Sequence, residues 1–493
     1  MMLLWRLPLS ARETGPEEIM SPCDVHAHIT DSCFFSHGYA TEEARRVFCD
    51  KRRMQRWLEV ESALLRCQAR LGIIPAAAAE RLQETSSLDQ FDLQAVKNDI
   101  VLTGHSLVPL LREWQRVTAD KTGEYIHFGA TTQDIQDTAQ ALELKEICVI
   151  IQRDLAHIIQ MLAGLANKYK DLGMIGRTHG QAALPTTLGL KMAGWLDETL
   201  RNQQRLTECQ ERLLVCQLFG GTGSMDSLSD NSLELLNMFA LDLGLNVPDT
   251  AWHACRDRTA EFISHLALIT GGLGRIANEI CQLTREEIGE LAEPFRLGQI
   301  GSSTMPHKKN PELCEQVVVL ARLVKNNAAA GFDCLLNEHE RDYRAVRLEW
   351  AVLTEAALYS CASLNLMEKI LGGLKVNRER ITNNLDKASM MVCSEALMFV
   401  LGEKTGKQSA HQIIYQAAMN CTGLANLLQK LHEVPEVNKN FSIRDLEEAV
   451  KHPRRHIGQA VRLVDLVLAR VDNMKLEQRR NVKIPPCPVK GCG

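Results

Sequence analysis

Apolar residues recur along most of this chain at intervals of three and four, the repeat of an amphipathic helix. The first such run begins near Ala44, passes through RRMQRWLEVESALLRCQARLG and is stopped by Gly72 and Pro75. Shorter helical stretches lead from there to Gly129. The middle of the chain carries longer seams. One is Leu144, Ile147, Ile151, Leu155, Ile158, Leu162 and Leu165; another is Phe262, Leu266, Ile269, Leu273, Ile276, Ile280 and Leu283, in strict four-three alternation. Seams of that length predict long helices packed at small crossing angles. Further long runs cover 185–216, 311–336 and 344–371. No stretch alternates with the period of two that marks a half-buried strand.

The pattern therefore predicts an all-α protein in five parts: an irregular N-terminal tail (1–40), an N-terminal helical domain (41–130), a central long-helix bundle (131–371), a C-terminal helical domain (372–475) and a disordered tail (476–493). Long helices with more than one apolar face need neighbours to cover them. A homo-oligomer with a shared helical core follows as an expectation.

Composition narrows this further. At 493 residues, 45% of them apolar, the chain can bury a sizeable core and suggests more than one domain. Aromatic residues make up only 5%, which favours helix over sheet. The net charge of -5 comes from nearly balanced acids and bases, so no basic face is implied and nucleic acid is not an expected partner. Sixteen cysteines are scattered singly along helical stretches, the pattern of reduced thiols in a cytoplasmic protein. The opening MMLLWRLPLSARETG is broken by Arg6 and Pro8, too short to span a membrane and without a convincing signal-peptide core; a weak mitochondrial presequence stays open. No other run reads as long enough to cross a bilayer, so a soluble protein is expected. The HxH at His26 and His28, and the pair Cys487 and Cys492, offer too few ligands for a metal site. No Gly-rich dinucleotide or triphosphate loop is present. Neither cofactor nor metal is expected.

The chemistry concentrates in GQIGSSTMPHKKNPELCE, residues 298–315. A glycine, two hydroxyls (Ser302, Ser303), two lysines and Asn310-Pro311 precede an apolar helix. Asn310 reads as its N-cap and Pro311 as its first residue. That helix start, with Lys308 beside it, would offer free N–H groups and positive charge to a carboxylate.

The segment resembles the signature GSSxMPxKxNP of the fumarase/aspartase superfamily, matched at every fixed position from Gly301 to Pro311. HFGATTQDIQDTA (127–139) and GRTHGQAALPTTLGLK (176–191) resemble the family's other two conserved regions, and the likeness runs from about Phe48 to about Leu468. The resemblance implies the three-domain fold of that family, with a central bundle assembled into a homotetramer whose sites are shared between subunits. It also implies a small dicarboxylate substrate: a proton is removed beside a carboxylate and an amine or hydroxyl is expelled from the next carbon. By the same resemblance Ser302 is the base, and His179 the general acid with Glu315 as its carboxylate partner. His105, Thr131, Thr132, Gln133, Thr178, Gln181, Ser303, Lys308, Asn310 and Arg341 would bind substrate.

ATTQD, RTHGQ and His339-Glu340-Arg341-Asp342 place the resemblance in the branch that contains adenylosuccinate lyases and carboxymuconate cycloisomerases. A histidine at 179 favours elimination of fumarate from an N-succinyl substrate. Two regions favour the cycloisomerases: AWHACRDR around Trp252, and RDYRAVRLEW, where Val346 and Trp350 stand in place of the Ser and Arg that hold the nucleotide phosphate in adenylosuccinate lyases. A third reading is a non-catalytic structural homologue, against which the intact Ser302, His179, Lys308 and Glu315 argue.

Overall fold

The computed structural model describes residues 27–481 except 229, 297, 389–393, 420, 422 and 452–455, with side chains as far as Asn473. His26, Cys487, Cys492 and the tail beyond Asn481 lie outside the described residues.

The periodic runs become helices. Glu42–Phe48 (α1) and Asp50–Arg70 (α2) lead into Ala76–Glu84 (α3), Leu93–Thr103 (α4) and Val108–Thr118 (α5). The bundle follows: Thr132–Lys168 (α6), Leu188–Leu213 (α7), Asp257–Thr284 (α9), Glu312–Asp333 (α10) and Tyr343–Gly372 (α11), with Ser232–Leu243 (α8) between the second and third. Every residue of the Phe262 seam is buried, as is the Leu144 seam apart from the half-buried Leu165. Arg378–Lys387 (α12) opens the last part, in which Ser394–Thr405, Lys407–Ala418, Leu424–Glu433 and Ile443–Val450 enclose a small core around Leu401, Leu431 and Leu446. Ala460–Asn481 returns along α7.

Two points depart from the sequence reading. A hairpin, Gly173–Thr178 (β1) with Gln181–Thr187 (β2), interrupts the helices between α6 and α7. It escaped the periodicity because neither strand (GMIGRT, QAALPTT) alternates apolar with polar residues, and its pairing is irregular between Ile175 and Arg177. Gly176 lies there, and a Cβ on it would sit 2.7 Å from the Leu184 carbonyl. Second, α6 is long and apolar enough by composition to cross a bilayer, with an 18-residue window of mean hydropathy 1.3. Half of that window is buried inside the bundle, which is where its apolar character goes.

The five bundle helices set the geometry of everything that follows. Arg256, just before α9, contacts Asp137 near the start of α6, so both helices begin at one end, here called the near end. Tyr343 at the start of α11 meets Gln136 there as well. Gly274 and Gly331 pack against Ala321 and Ile263, so α10 runs antiparallel to α9 and starts at the far end. At 1.5 Å per residue, the 37 residues of α6 separate the two ends by about 55 Å.

Candidate active site

At the near end, Thr131 and Thr132 form the turn that starts α6. Asp134 holds this turn by accepting the Thr131 N–H (3.0 Å). The same buried carboxylate accepts the N–H groups of Phe219 (3.0 Å) and Gly220 (2.9 Å) and pairs with His253 Nε2 (2.9 Å). One turn on, Asp137 and Glu349 clasp Arg256, which is fully buried and lies over the Trp252 ring at 4.9 Å. Burial works against the guanidinium charge. The two carboxylates outweigh it, and the Arg256 pKa rises. These paired charges fix the helix start rigidly.

Arg341 Nη1 donates to Thr131 Oγ1 at 2.6 Å, and His105 Nε2 lies 3.5 Å from Thr132 Oγ1. His105 Nδ1 accepts the N–H groups of Leu107 (3.3 Å) and Val108 (3.1 Å), capping α5. In its neutral form that leaves the ring proton on Nε2, facing Thr132. Tyr343, Ser106 and Gln136 form a further hydrogen-bonded set beside them. Gln133, expected among the substrate-binding residues, is turned the other way. It is 1% exposed and donates to Asp137 (3.0 Å) and to the His253 carbonyl (3.0 Å), so it braces the network.

At the far end, the β1–β2 turn consists of His179 (φ 52°) and Gly180 (φ 77°). Two left-handed residues in a two-residue hairpin match the strand twist, and they hold His179 at the exposed tip between Thr178 and Gln181. Arg177 anchors the hairpin by donating two hydrogen bonds to the buried carboxylate of Glu290 (2.7 and 2.9 Å).

The signature loop lies at the same end, before α10. Gly301 closes it: a Cβ there would meet the Lys308 carbonyl at 2.3 Å. Asn310 Nδ2 secures the closure by donating to the Gly301 carbonyl at 2.7 Å. Ser302 Oγ accepts the N–H groups of Thr304 (3.3 Å) and Met305 (3.0 Å), donors that would also stabilise an alkoxide. Ser303 and Lys308 are exposed. The helix start corrects the sequence reading. Pro311 is the N-cap and Glu312 the first residue, so Asn310 ties the loop and does not cap. The N–H groups of Leu313 and Cys314 are already taken by the buried carboxylate of Glu293 (3.2 and 2.9 Å). Burial raises the Glu293 pKa, and those N–H groups oppose it. Glu315 is exposed in the first turn and makes no ion pair with His179 within the chain.

The expected site residues thus form two sets. His105, Thr131, Thr132 and Arg341 meet at the near end. Thr178, His179, Gln181, Ser302, Ser303, Lys308, Asn310 and Glu315 belong to the far end. A six-residue strand reaches about 20 Å, so the hairpin cannot carry His179 back along α6.

Sequence reasoning missed Asp134, Asp137, His253, Arg256 and Glu293. A signal existed for the first two: acids three residues apart at the start of a long helical run, hence on one face of it.

The bundle thus carries a histidine hairpin and a serine–lysine loop at one end and a Thr-Thr-Arg-His cluster at the other. Residues 38–325 match the lyase family, and residues 391–467 the C-terminal family of adenylosuccinate lyase. The N-acetyl-S-(2-succino)cysteine lyase of Enterococcus italicus is 36% identical over 444 residues, covering 90% of this chain and 97% of that protein. The adenylosuccinate lyase of Pyrococcus horikoshii is 38% identical over 445 residues, covering 89% and 98%. Among solved structures, the 3-carboxy-cis,cis-muconate lactonizing enzyme of Pseudomonas putida superposes with a TM-score of 0.81 at 31% identity, covering 90% and 99%. The chain belongs to the fumarase/aspartase superfamily of lyases.

Proposed function

We propose that this chain is a fumarate-releasing β-lyase acting on a succinyl-substituted thiol or amine that carries no phosphate. The observation behind this reading is the wall around Val346 and Trp350. Val346 is buried, and the Trp350 ring packs on Trp57 (6.3 Å) and Tyr343 (6.5 Å). The neighbouring cations are engaged. Arg53 binds Glu143 (3.0 and 3.2 Å), Arg344 binds Asp342 and Glu338, and Arg347 lies over the Tyr343 ring. A phosphate would find an aromatic surface there, with Arg53 and Arg344 already held by carboxylates.

In this reading near and far ends come from different subunits. Exposed apolar side chains on bundle helices (Val149, Leu268, Val319) supply surface for such an assembly. Arg341, Thr131 and Thr132 hold one carboxylate of the substrate, with His105 beside them. Ser302 removes the proton from the adjoining carbon, and Lys308 with the loop N–H groups stabilises the charge that develops on the second carboxylate. His179, supported by Glu315 supplied from another subunit, protonates the departing atom; Thr178 and Gln181 orient the substrate at the hairpin tip. A thiolate of pKa about 8.5 leaves with less acid assistance than an amine, so His179→Ala costs less on a thioether than on an amine substrate.

The test is fumarate release by the purified protein from N-acetyl-S-(2-succino)cysteine and from adenylosuccinate, with Ser302→Ala as control. Turnover of the thioether that vanishes in Ser302→Ala supports the reading. Faster turnover of adenylosuccinate refutes the phosphate-free assignment, and full activity in Ser302→Ala removes the serine base. Cycloisomerase chemistry is the second reading, carried by the superposition on the muconate lactonizing enzyme; consumption of 3-carboxymuconate alone would favour it. The likeness around Trp252 does not carry it, because Trp252 is buried scaffold, donating to the Cys216 carbonyl (2.9 Å).

A further inference from the structure

Away from both halves of the site, three potential ligands converge where α7 packs on α9. Cys209 lies on α7, and Glu261 and His265 lie four residues apart on α9, hence on one face of it. One sulfur, one imidazole nitrogen and one carboxylate oxygen all fall within 4.8 Å of one another. His265 Nε2 is 3.4 Å from Glu261 Oε1, while its Nδ1 is buried with no hydrogen-bond partner. One ring nitrogen of His265 is thus without a partner in a cluster that also holds the buried free thiol of Cys209.

We propose that Cys209, Glu261 and His265 form a binding site for zinc or a similar borderline divalent ion, with water as the fourth ligand. The mixed donor set decides the ion. Thiolate and imidazole suit zinc and cobalt, whereas magnesium and calcium prefer all-oxygen sites. Glu261 is one-third exposed and gives the ion its entry. The ion has a competitor: Arg212, mostly exposed, donates to both oxygens of Glu261, so metal must draw that carboxylate away. Bound there, it would fasten α7 to α9 about one and a half turns beyond Arg256.

Binding is a proton exchange: the Cys209 S–H bond breaks, the sulfur–metal bond forms, and the proton passes to water. Burial, aided by the Glu261 charge and opposed by Arg212, pushes the thiol up to about 12. The groups facing it are Cys148 of α6, Glu261 and His265 of α9, and Arg212 of its own helix.

The test is titration of the chelator-treated, full-length protein with zinc, and with cobalt to detect the near-ultraviolet thiolate-to-cobalt band. The expected result is one equivalent of metal that is lost in both Cys209→Ser and His265→Gln. Arg212→Gln should bind about fivefold more tightly, since an exposed competing ion pair is gone. Because Arg212 is at the surface, that variant reports on the site even where Cys209→Ser perturbs packing. A thiolate band that survives in both Cys209→Ser and His265→Gln, no band in the wild type, or unchanged affinity in Arg212→Gln overturns the site. None of these readouts uses enzymatic turnover, so the outcome stands apart from that of the lyase assignment.

Discussion

If the two halves of the site come from different subunits, two inactive variants should restore each other. Arg341→Ala removes the cation at the near end, and Ser302→Ala removes the hydroxyl at the far end. Arg341 is exposed and, among the described residues, its side chain donates only to Thr131, so neither change should disturb folding. Within one chain the ends of α6 are about 55 Å apart, far beyond the reach of any small substrate. In a mixed assembly a working site needs its near half from a Ser302→Ala chain and its far half from an Arg341→Ala chain. Random mixing of equal amounts meets each condition half the time, so about one quarter of wild-type activity should return. The assay is to denature the two variants together, refold them, isolate hybrids by different affinity tags and measure turnover. Verified hybrids with no activity would refute the shared site, because halves from one chain could never complement.

Two further outcomes follow from single contacts. Gly301→Ala forces a Cβ to 2.3 Å from the Lys308 carbonyl, so the loop must open; turnover should fall at least about tenfold while thermal unfolding moves little, and a wild-type rate would show that the closed loop is not needed. His127 (φ 62°) pairs with fully buried Glu61 at 2.6 Å. Burial disfavours its charge, yet Glu61 overrides that and the pKa is raised. A raised pKa means that the folded state holds the proton more tightly. The stabilisation is therefore full below the unfolded value of about 6.5 and is lost as pH rises through the folded value. Glu61→Gln should cost about 1–3 kcal/mol at mildly acidic pH, a gap that narrows in alkali; denaturant unfolding with a pH-independent gap would contradict this.

The sequence alone determined the long helices, because a seam such as Phe262 to Leu283 can be buried only by a helix with neighbours along its whole length. It also marked Ser302 and His179, whose residue types and local context are written in continuous segments. What it could not determine is anything that depends on residues distant in the chain. The start of α10 reads as an open anion site until Glu293 is seen to fill it, and Gln133 reads as a ligand until its amide is found turned towards Asp137. Arg256 gives no periodic signal; its buried place is decided by Asp137 and Glu349, 119 and 93 residues away. The hairpin at His179 likewise depends on pairing and on Glu290 more than on local pattern. Local periodicity reports which face of a segment is buried. Only the tertiary structure reports which charge has already met its partner, and that the expected site residues stand at opposite ends of one bundle.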